Sequence, residues 1–301
     1  MRFLLTQTPE ASDAVTHSGL FHSDEVMATA ILSHCGIRTV SRVSSVPQDL
    51  SANTVVYDIG GGRYDHHMVG GNGARENGIP YSSCGLLWRD YGYRTCQDIT
   101  GMESADDLEA VWNAVDSSLI QPIDAWDNGI SEANEVGLSK LISDFNPTWD
   151  SGEDIDTAFL RAVAFADTVL TNRIRAVGSA VKANGLVLQC LHKTEGPILV
   201  LPRFLPWQKA LRSSGADGGE ILFVVFPAFR GGYQCQCVPS EENPRTPKHP
   251  LPVSWRGQSQ ETLRMISGVP TAIFCHPGGF LCGAESREDA IRMAEIAMKE
   301  E

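Results

Sequence analysis

The sequence predicts an α/β protein of two domains joined by a long helix. Three observations carry this reading. Strand-like and helix-like runs alternate in the first half with His and Asp at the strand ends, a long amphipathic stretch follows, and beyond it the pattern turns to short strands. A chain of 301 residues also exceeds the size at which a single core usually stops growing.

Asp13 to Thr16 reads as a short strand that delivers His17 to its end, and Glu25 to His34 as a helix with Val26, Met27, Ala30 and Ile31 at helical spacing. Arg38 to Ser44 has strand character. Asn53 to Ile59 reads as a buried strand of the parallel type, ended by Gly60, Gly61 and Gly62. Ser82 to Tyr91 and Ala105 to Val115 read as helices. Strand, helix and strand in succession form an open, doubly wound parallel sheet, whose sites lie at the carboxyl ends of the strands.

Asp154 to about Val181 is the long amphipathic helix, with Asn184-Gly185 as its expected stop. The expected division is therefore residues 1–183, connecting helix included, and a smaller α/β domain at 184–301. In the latter, strands are expected at Leu186 to Leu191, Ile198 to Leu201, Ile221 to Phe226, Tyr233 to Val238 and Thr271 to Cys275. Residues 239–256 carry five prolines and read as an extended loop. His276-Pro277-Gly278-Gly279 reads as a loop leading toward a last helix from Arg287, where a phosphate could bind.

No segment approaches the roughly 20 apolar residues that cross a bilayer, and the apolar start ends at once in Gln7, Thr8 and Pro9, so a cytoplasmic protein without membrane partners is expected. The eight cysteines include no C-x-x-C pair and read as buried thiols. A formal net charge of −13 argues against a protein that coats duplex DNA, though not against one that grips an oligonucleotide end at a metal centre. No exposed heptad or apolar patch argues for a homodimer, which is left open.

Four of the eight histidines fall in two short segments, Thr16 to Glu25 and Tyr64 to His67, and no cysteine does. Imidazole and carboxylate without thiolate point to a hard or borderline cation. His17, His22 and Asp24 flank a turn containing Gly19 and could aim at one point. Asp58 ends an apolar strand, where a dry, unpaired carboxylate is costly and needs donors or a cation. Asp65 could orient one of the neighbouring His66 and His67, and Asp127 adds a carboxylate at a glycine turn.

Five segments, T-H-S-G-L-F-H-S-D-E, V-V-Y-D-I-G-G, Y-D-H-H, Y-S-S-C-G-L-L-W and I-D-A-W-D-N-G, resemble in order the motifs of the Myg-type family of metal-dependent hydrolases, a branch of the DHH phosphoesterase superfamily. Leu205 to Leu211, Val224 to Pro227, Leu251 to Gly257 and Ile273 to Phe280 with Gly283 continue the resemblance, which covers about residues 14–299. It implies a DHH-type catalytic domain holding two divalent ions, and a second domain that grips substrate. Mn²⁺ is foremost, with Fe²⁺, Zn²⁺ or Mg²⁺ as alternatives. By position, His17, His22 and Asp58 would hold one ion, and Asp24, Asp58, His66 and Asp127 the other. His67 would face the substrate phosphate, with Asp65 orienting it. Two residues depart from the pattern: Ser18 stands where Asn is usual, and His22 where other branches carry Asp, which favours Mn²⁺, Fe²⁺ or Zn²⁺ over Mg²⁺.

The activity so implied is 3′-to-5′ exonucleolytic cleavage of RNA or short oligonucleotides. Substrate contacts are expected from His276, Gly278, Gly279, Arg256 and Lys209, with Arg230, Arg245, Lys248 and Arg287 as further cations. Trp207 and Trp255 read as core, with base stacking as the alternative. Two rival functions remain. One is a small-molecule phosphoesterase or pyrophosphatase, which the acidic charge suits; the other is a metal-containing binding protein without catalysis.

Overall fold

The computed structural model describes residues 3–131 and 136–300. It divides into two compact units between Gly178 and Ser179.

The first unit is built on a parallel sheet of β1 (Leu4–Leu5), β2 (Ala14–His17), β3 (Thr39–Val43) and β4 (Val55–Val56), in the order β1-β3-β2-β4. Ala14, Val15 and Thr16 are all buried, as a central strand covered on both faces requires. Parallel neighbours need a crossover, and α1 (Ser23–Ser33) supplies it between β2 and β3 while buried along its whole length. β4 is shorter than the expected run from Asn53 to Ile59. Its ladder ends because the chain turns out of the sheet at Asp58, which has φ 58°.

α2 (Ser83–Thr100) packs on α1. α3 (Ala105–Val115), capped by Ser104, passes through a widened turn at Asp116–Ile120 into α4 (Gln121–Asp127), and α5 (Leu138–Ser143) follows. His34, at the end of α1, is a clasp between helices: Nδ1 lies 2.8 Å from Asp98 on α2, and Nε2 lies 2.7 Å from Asp167 on α6 (Ile155–Leu191).

α6 corrects two expectations. It is 37 residues long, passes through Asn184-Gly185 without stopping, and makes Leu186 to Leu191 helical rather than a strand. A helical glycine costs only about 1 kcal/mol relative to Ala, and burial of Ala183, Val187 and Leu191 in an apolar cluster with Leu199, Val224 and Phe226 outweighs that.

The second unit contains β5 (Ile198–Val200), α7 (Gln208–Ser213), α8 (Ala216–Gly219), β6 (Phe223–Pro227), β7 (Tyr233–Cys237), α9 (Gln260–Ser267), β8 (Ala272–Cys275), β9 (Leu281–Ala284) and α10 (Arg287–Ala297). Its sheet runs β5-β6-β7-β9-β8, with β5 parallel to β6 and the other pairs antiparallel. Along β6 the side chains alternate between two cores. Phe223 and Val225 join Trp255, Leu263 and Met293, whereas Val224 and Phe226 join Val187 and Trp207.

The strand β9 corrects a third expectation. The His276 to Gly279 loop turns the β8–β9 hairpin and does not lead into α10. α10 starts at the hairpin's opposite end, where Glu285 N–H donates to the Thr271 carbonyl and Ser286 Oγ accepts from Asp289 N–H. All eight cysteines are free and seven are buried. Among the described residues no helix is long and apolar enough to cross a membrane.

Candidate metal centre

Each predicted metal-site residue is placed by an element end. His17 is the last residue of β2, and Asp24 and Glu25 lie in the first turn of α1. The turn between them is held from two sides. Arg42 Nη2 on β3 donates to the Gly19 carbonyl at 2.6 Å, and the Asn146 side chain accepts from Phe21 N–H at 3.0 Å while donating to its carbonyl at 2.7 Å. Asp58 follows β4, His66 and His67 lie on the next loop, and Asp127 is the last residue of α4. These are the carboxyl ends of parallel strands and the helix ends beside them.

The side chains converge. Four groups of ligand atoms lie within 4.8 Å of one another: Asp24, His66 and Asp127; Asp24, Glu25 and Asp58; His17, His22 and Glu25; and Asp58, Asp65, His66 and His67. Asp58 stands at the middle, with Oδ2 3.2 Å from His17 Nε2 and Oδ1 3.5 Å from His66 Nδ1. His66 Nε2 is 2.8 Å from Asp127 Oδ2. Asp65 accepts from Gly61 N–H at 2.6 Å and lies 2.8 Å from His67 Nδ1, so it fixes the His67 ring while His67 itself stays exposed.

Two features show that this cluster fits a cation. Both Asp24 carboxylate oxygens are buried without a hydrogen-bond partner, although Asp24 is 0 % exposed. His66 Nδ1 is 3.9 Å from Asp24 Oδ2, beyond hydrogen-bond reach; a buried carboxylate that accepts no hydrogen bond is costly, and a cation compensates it. Second, Asp58 is the sole non-glycine at positive φ among the described residues, a strained conformation of the kind that gathers at functional sites.

The electrostatics agree. Burial, then the charges of Asp58, Glu25 and Asp127, push the Asp24 carboxyl well above the usual carboxylate range. Burial would lower His17, but Asp58 and Glu25 beside the ring raise it to about 10. Burial would raise Asp58, and the bonds from His17 and Ser83 hold it down instead. Oxygen and imidazole donors without thiolate suit Mn²⁺, Fe²⁺ or Zn²⁺.

Two participants escape the sequence reading. Glu25 is 0 % exposed, accepts His22 N–H at 2.8 Å and lies 2.9 Å from His17 Nε2. Ser83 donates to Asp58 Oδ1 at 2.8 Å and meets His66 Nδ1 at 3.3 Å. The one signal for Glu25 is its place three residues after His22, the spacing of a capping box, which ordinarily marks an exposed helix start.

The expected substrate residues lie in the second unit. Arg256 spends Nε and Nη2 on the Leu251 carbonyl and lies over Gly279, where a Cβ would come within 2.4 Å of Nε. Gly279 N–H donates to the His276 carbonyl, and Gly278 N–H donates to His276 Nδ1, so these residues form one turn with Arg256 against it. Lys209 is exposed on α7, and Lys248 Nζ donates to the Gly219 carbonyl. Trp255 is 0 % exposed and Trp207 is 2 % exposed, so both are core and neither presents a face for stacking.

Fold and cluster together define an α/β protein whose parallel sheet gathers carboxylates and imidazoles suited to divalent cations. The chain belongs to the MYG1 exonuclease family, described as an uncharacterised protein family (UPF0160), whose model matches residues 13–298. It is 30 % identical to the MYG1 protein of Saccharomyces cerevisiae over 94 % of both chains. It is 29 % identical to the MYG1 exonuclease of Homo sapiens over 94 % of this chain and 85 % of that one. A Chlamydia pneumoniae MYG1 protein is 26 % identical over 95 % of this chain and 96 % of its own. No solved structure matches.

Proposed function

We propose that this chain is a metal-dependent phosphodiesterase, a 3′-to-5′ exonuclease acting on RNA or short oligonucleotides with two Mn²⁺-type ions. The observation that carries the reading is Asp24, whose two buried carboxylate oxygens accept no hydrogen bond amid Asp58, Glu25, His66 and Asp127. The exonuclease name of the mammalian relatives supports the choice of reaction.

His17, His22 and Asp58 would hold one ion, and Asp24, Asp58, His66 and Asp127 the other, with Glu25 beside the first set. When bound, such ions lower the pKa of water toward neutrality and stabilise charge on the attacking and leaving oxygens. The protein's own share lies in holding groups in place. Asp58 faces both histidine clusters from a fixed, strained backbone. Asp65 occupies His67 Nδ1, which leaves the exposed Nε2 for a phosphoryl or leaving-group oxygen.

A formal charge of −13 favours a second reading, a small-molecule phosphoesterase or pyrophosphatase using the same centre. One experiment separates the two: hydrolysis of 5′-labelled short RNA, short DNA, dinucleotides and pyrophosphate by the Mn²⁺-loaded protein, with Asp58→Asn alongside. An RNA ladder shortened from the 3′ end and absent in the variant is expected. Cleavage of pyrophosphate or dinucleotides alone would move the function to small phosphoesters, and full activity in Asp58→Asn would refute the site.

A further inference from the structure

Asp124 lies one helical turn before Asp127 on α4 and is 0 % exposed. Its Oδ1 accepts from Ser82 N–H at 3.1 Å, from Ser82 Oγ at 2.5 Å and from Gly85 N–H at 3.0 Å, which together cap the start of α2. Its Oδ2 accepts from Arg75 Nη1 at 2.6 Å. Arg75 in turn grips Asp116 with Nε at 2.9 Å and Nη2 at 2.6 Å, and lies over the Tyr81 ring. The Asp124 carbonyl accepts from both the backbone and the side chain of Asn128, which closes α4.

These bonds bear on one ring. His66 is held between Ser83 Oγ at Nδ1 and Asp127 Oδ2 at Nε2. Ser83 follows the residue that Asp124 caps, and Asp127 shares a helix face with Asp124. We propose that Asp124, braced by Arg75, is a positioning residue that sets Ser83 and Asp127 on the two sides of His66 and so fixes the geometry of the ion held by Asp24, His66 and Asp127. The inference rests on the metal reading of that cluster. Groups that orient ligands without touching the metal typically govern about 10–100-fold in affinity.

Gly85 makes the test clean. A Cβ there would lie 2.0 Å from Asp124 Oδ2, so Gly85→Ala displaces the carboxylate while every polar group stays in the chain. Ser82→Ala removes one bond to a buried carboxylate, at a cost of about 1.5–3 kcal/mol, below the roughly 5–15 kcal/mol that typically holds a domain folded. The experiment is a Mn²⁺ titration followed by the electron paramagnetic resonance of free Mn²⁺, with circular dichroism melts, for the wild type, Gly85→Ala, Ser82→Ala and Asp127→Asn.

We expect two ions in the wild type and a loss of about 10–100-fold in affinity for one of them in Gly85→Ala. Ser82→Ala should lose less in the same direction, and Asp127→Asn should weaken the same ion. A purely structural Asp124 would lower melting temperatures and leave ion affinity alone, so wild-type binding in folded Gly85→Ala and Ser82→Ala overturns the proposal. Absence of Mn²⁺ binding by the wild type would refute the metal reading itself, and this proposal with it.

Discussion

Asp58 does two jobs that conflict in most side chains: it places a carboxylate between two histidine clusters, and it takes the left-handed backbone that lets the chain leave β4. Asp and Asn tolerate that conformation, while other residues with a Cβ pay roughly 1–2 kcal/mol. Asp58→Asn keeps the backbone but gives up the charge that His17 and Ser83 stabilise, so in chelator it should lose some stability at neutral pH, and Asp58→Ala should lose roughly a further 1–2 kcal/mol, with ion binding lost in both. Thermal melts in EDTA beside Mn²⁺ titrations check this. Wild-type ion affinity in Asp58→Asn would remove the residue from the centre. The convergence of His17, His22, Asp24, Asp58, His66 and Asp127 was legible because their residue types are unusual beside apolar strands and glycines. Glu25 and Ser83 were not, because a glutamate and a serine near a helix start are ordinary capping residues until burial shows what they face.

At the scale of elements, three of the four strands of the parallel sheet and five of the ten α-helices among the described residues could be read from apolar runs, but two segments misled. Asn184-Gly185 has the form of a helix stop, and only the apolar cluster around Val187 and Leu191 shows that the helix goes on. Leu281 to Ala284 has a glycine, a cysteine and no alternation, so β9 is visible only through its pairing with β7 and β8. The first case gives a sharp test. Gly185 is helical, exposed and has open space where a Cβ would go, so Gly185→Ala should stabilise the protein by about 0.5–1 kcal/mol. Destabilisation in chemical denaturation would restore the stop. Asp13 supplies a second test, in pH. Burial would raise its carboxyl, but Oδ2 accepts from Arg38 N–H, Thr39 N–H and Thr39 Oγ at 2.7, 2.8 and 3.0 Å, which holds it below the usual value and ties β2 to β3. A lowered folded pKa gives stability that is present above the unfolded value near 4 and lost as pH falls through the folded one. Asp13→Asn should thus cost about 1 kcal/mol at neutral pH, and its melting curve should meet the wild type's in acid. A gap that stays constant down to low pH would contradict the assignment.

For the whole molecule, acidic charge and candidate centre combine into one expectation. The chain carries 37 acidic against 24 basic residues, and four of those acids, Asp24, Glu25, Asp58 and Asp127, meet within two overlapping groups in the first unit. Their mutual repulsion opposes folding, and a cation that binds only the folded state reverses it by mass action, by about 2.7 kcal/mol at a hundredfold excess over Kd. For a unit of this size each kcal/mol moves the melting temperature by about 2–4 °C, so saturating Mn²⁺ should raise it by roughly 5–10 °C, and EDTA should reverse the shift. The second unit has its own sheet and two apolar cores without such a cluster among its described residues. Native-state hydrogen exchange should therefore show added protection from Mn²⁺ in peptides covering 14–25, 55–67 and 121–130, and none in those covering β6, β7 and β9. A melting temperature indifferent to Mn²⁺, Fe²⁺, Zn²⁺ and Mg²⁺ would mean that the Asp24 carboxylate is satisfied by protonation rather than by a cation, and the centre would lose its chemistry.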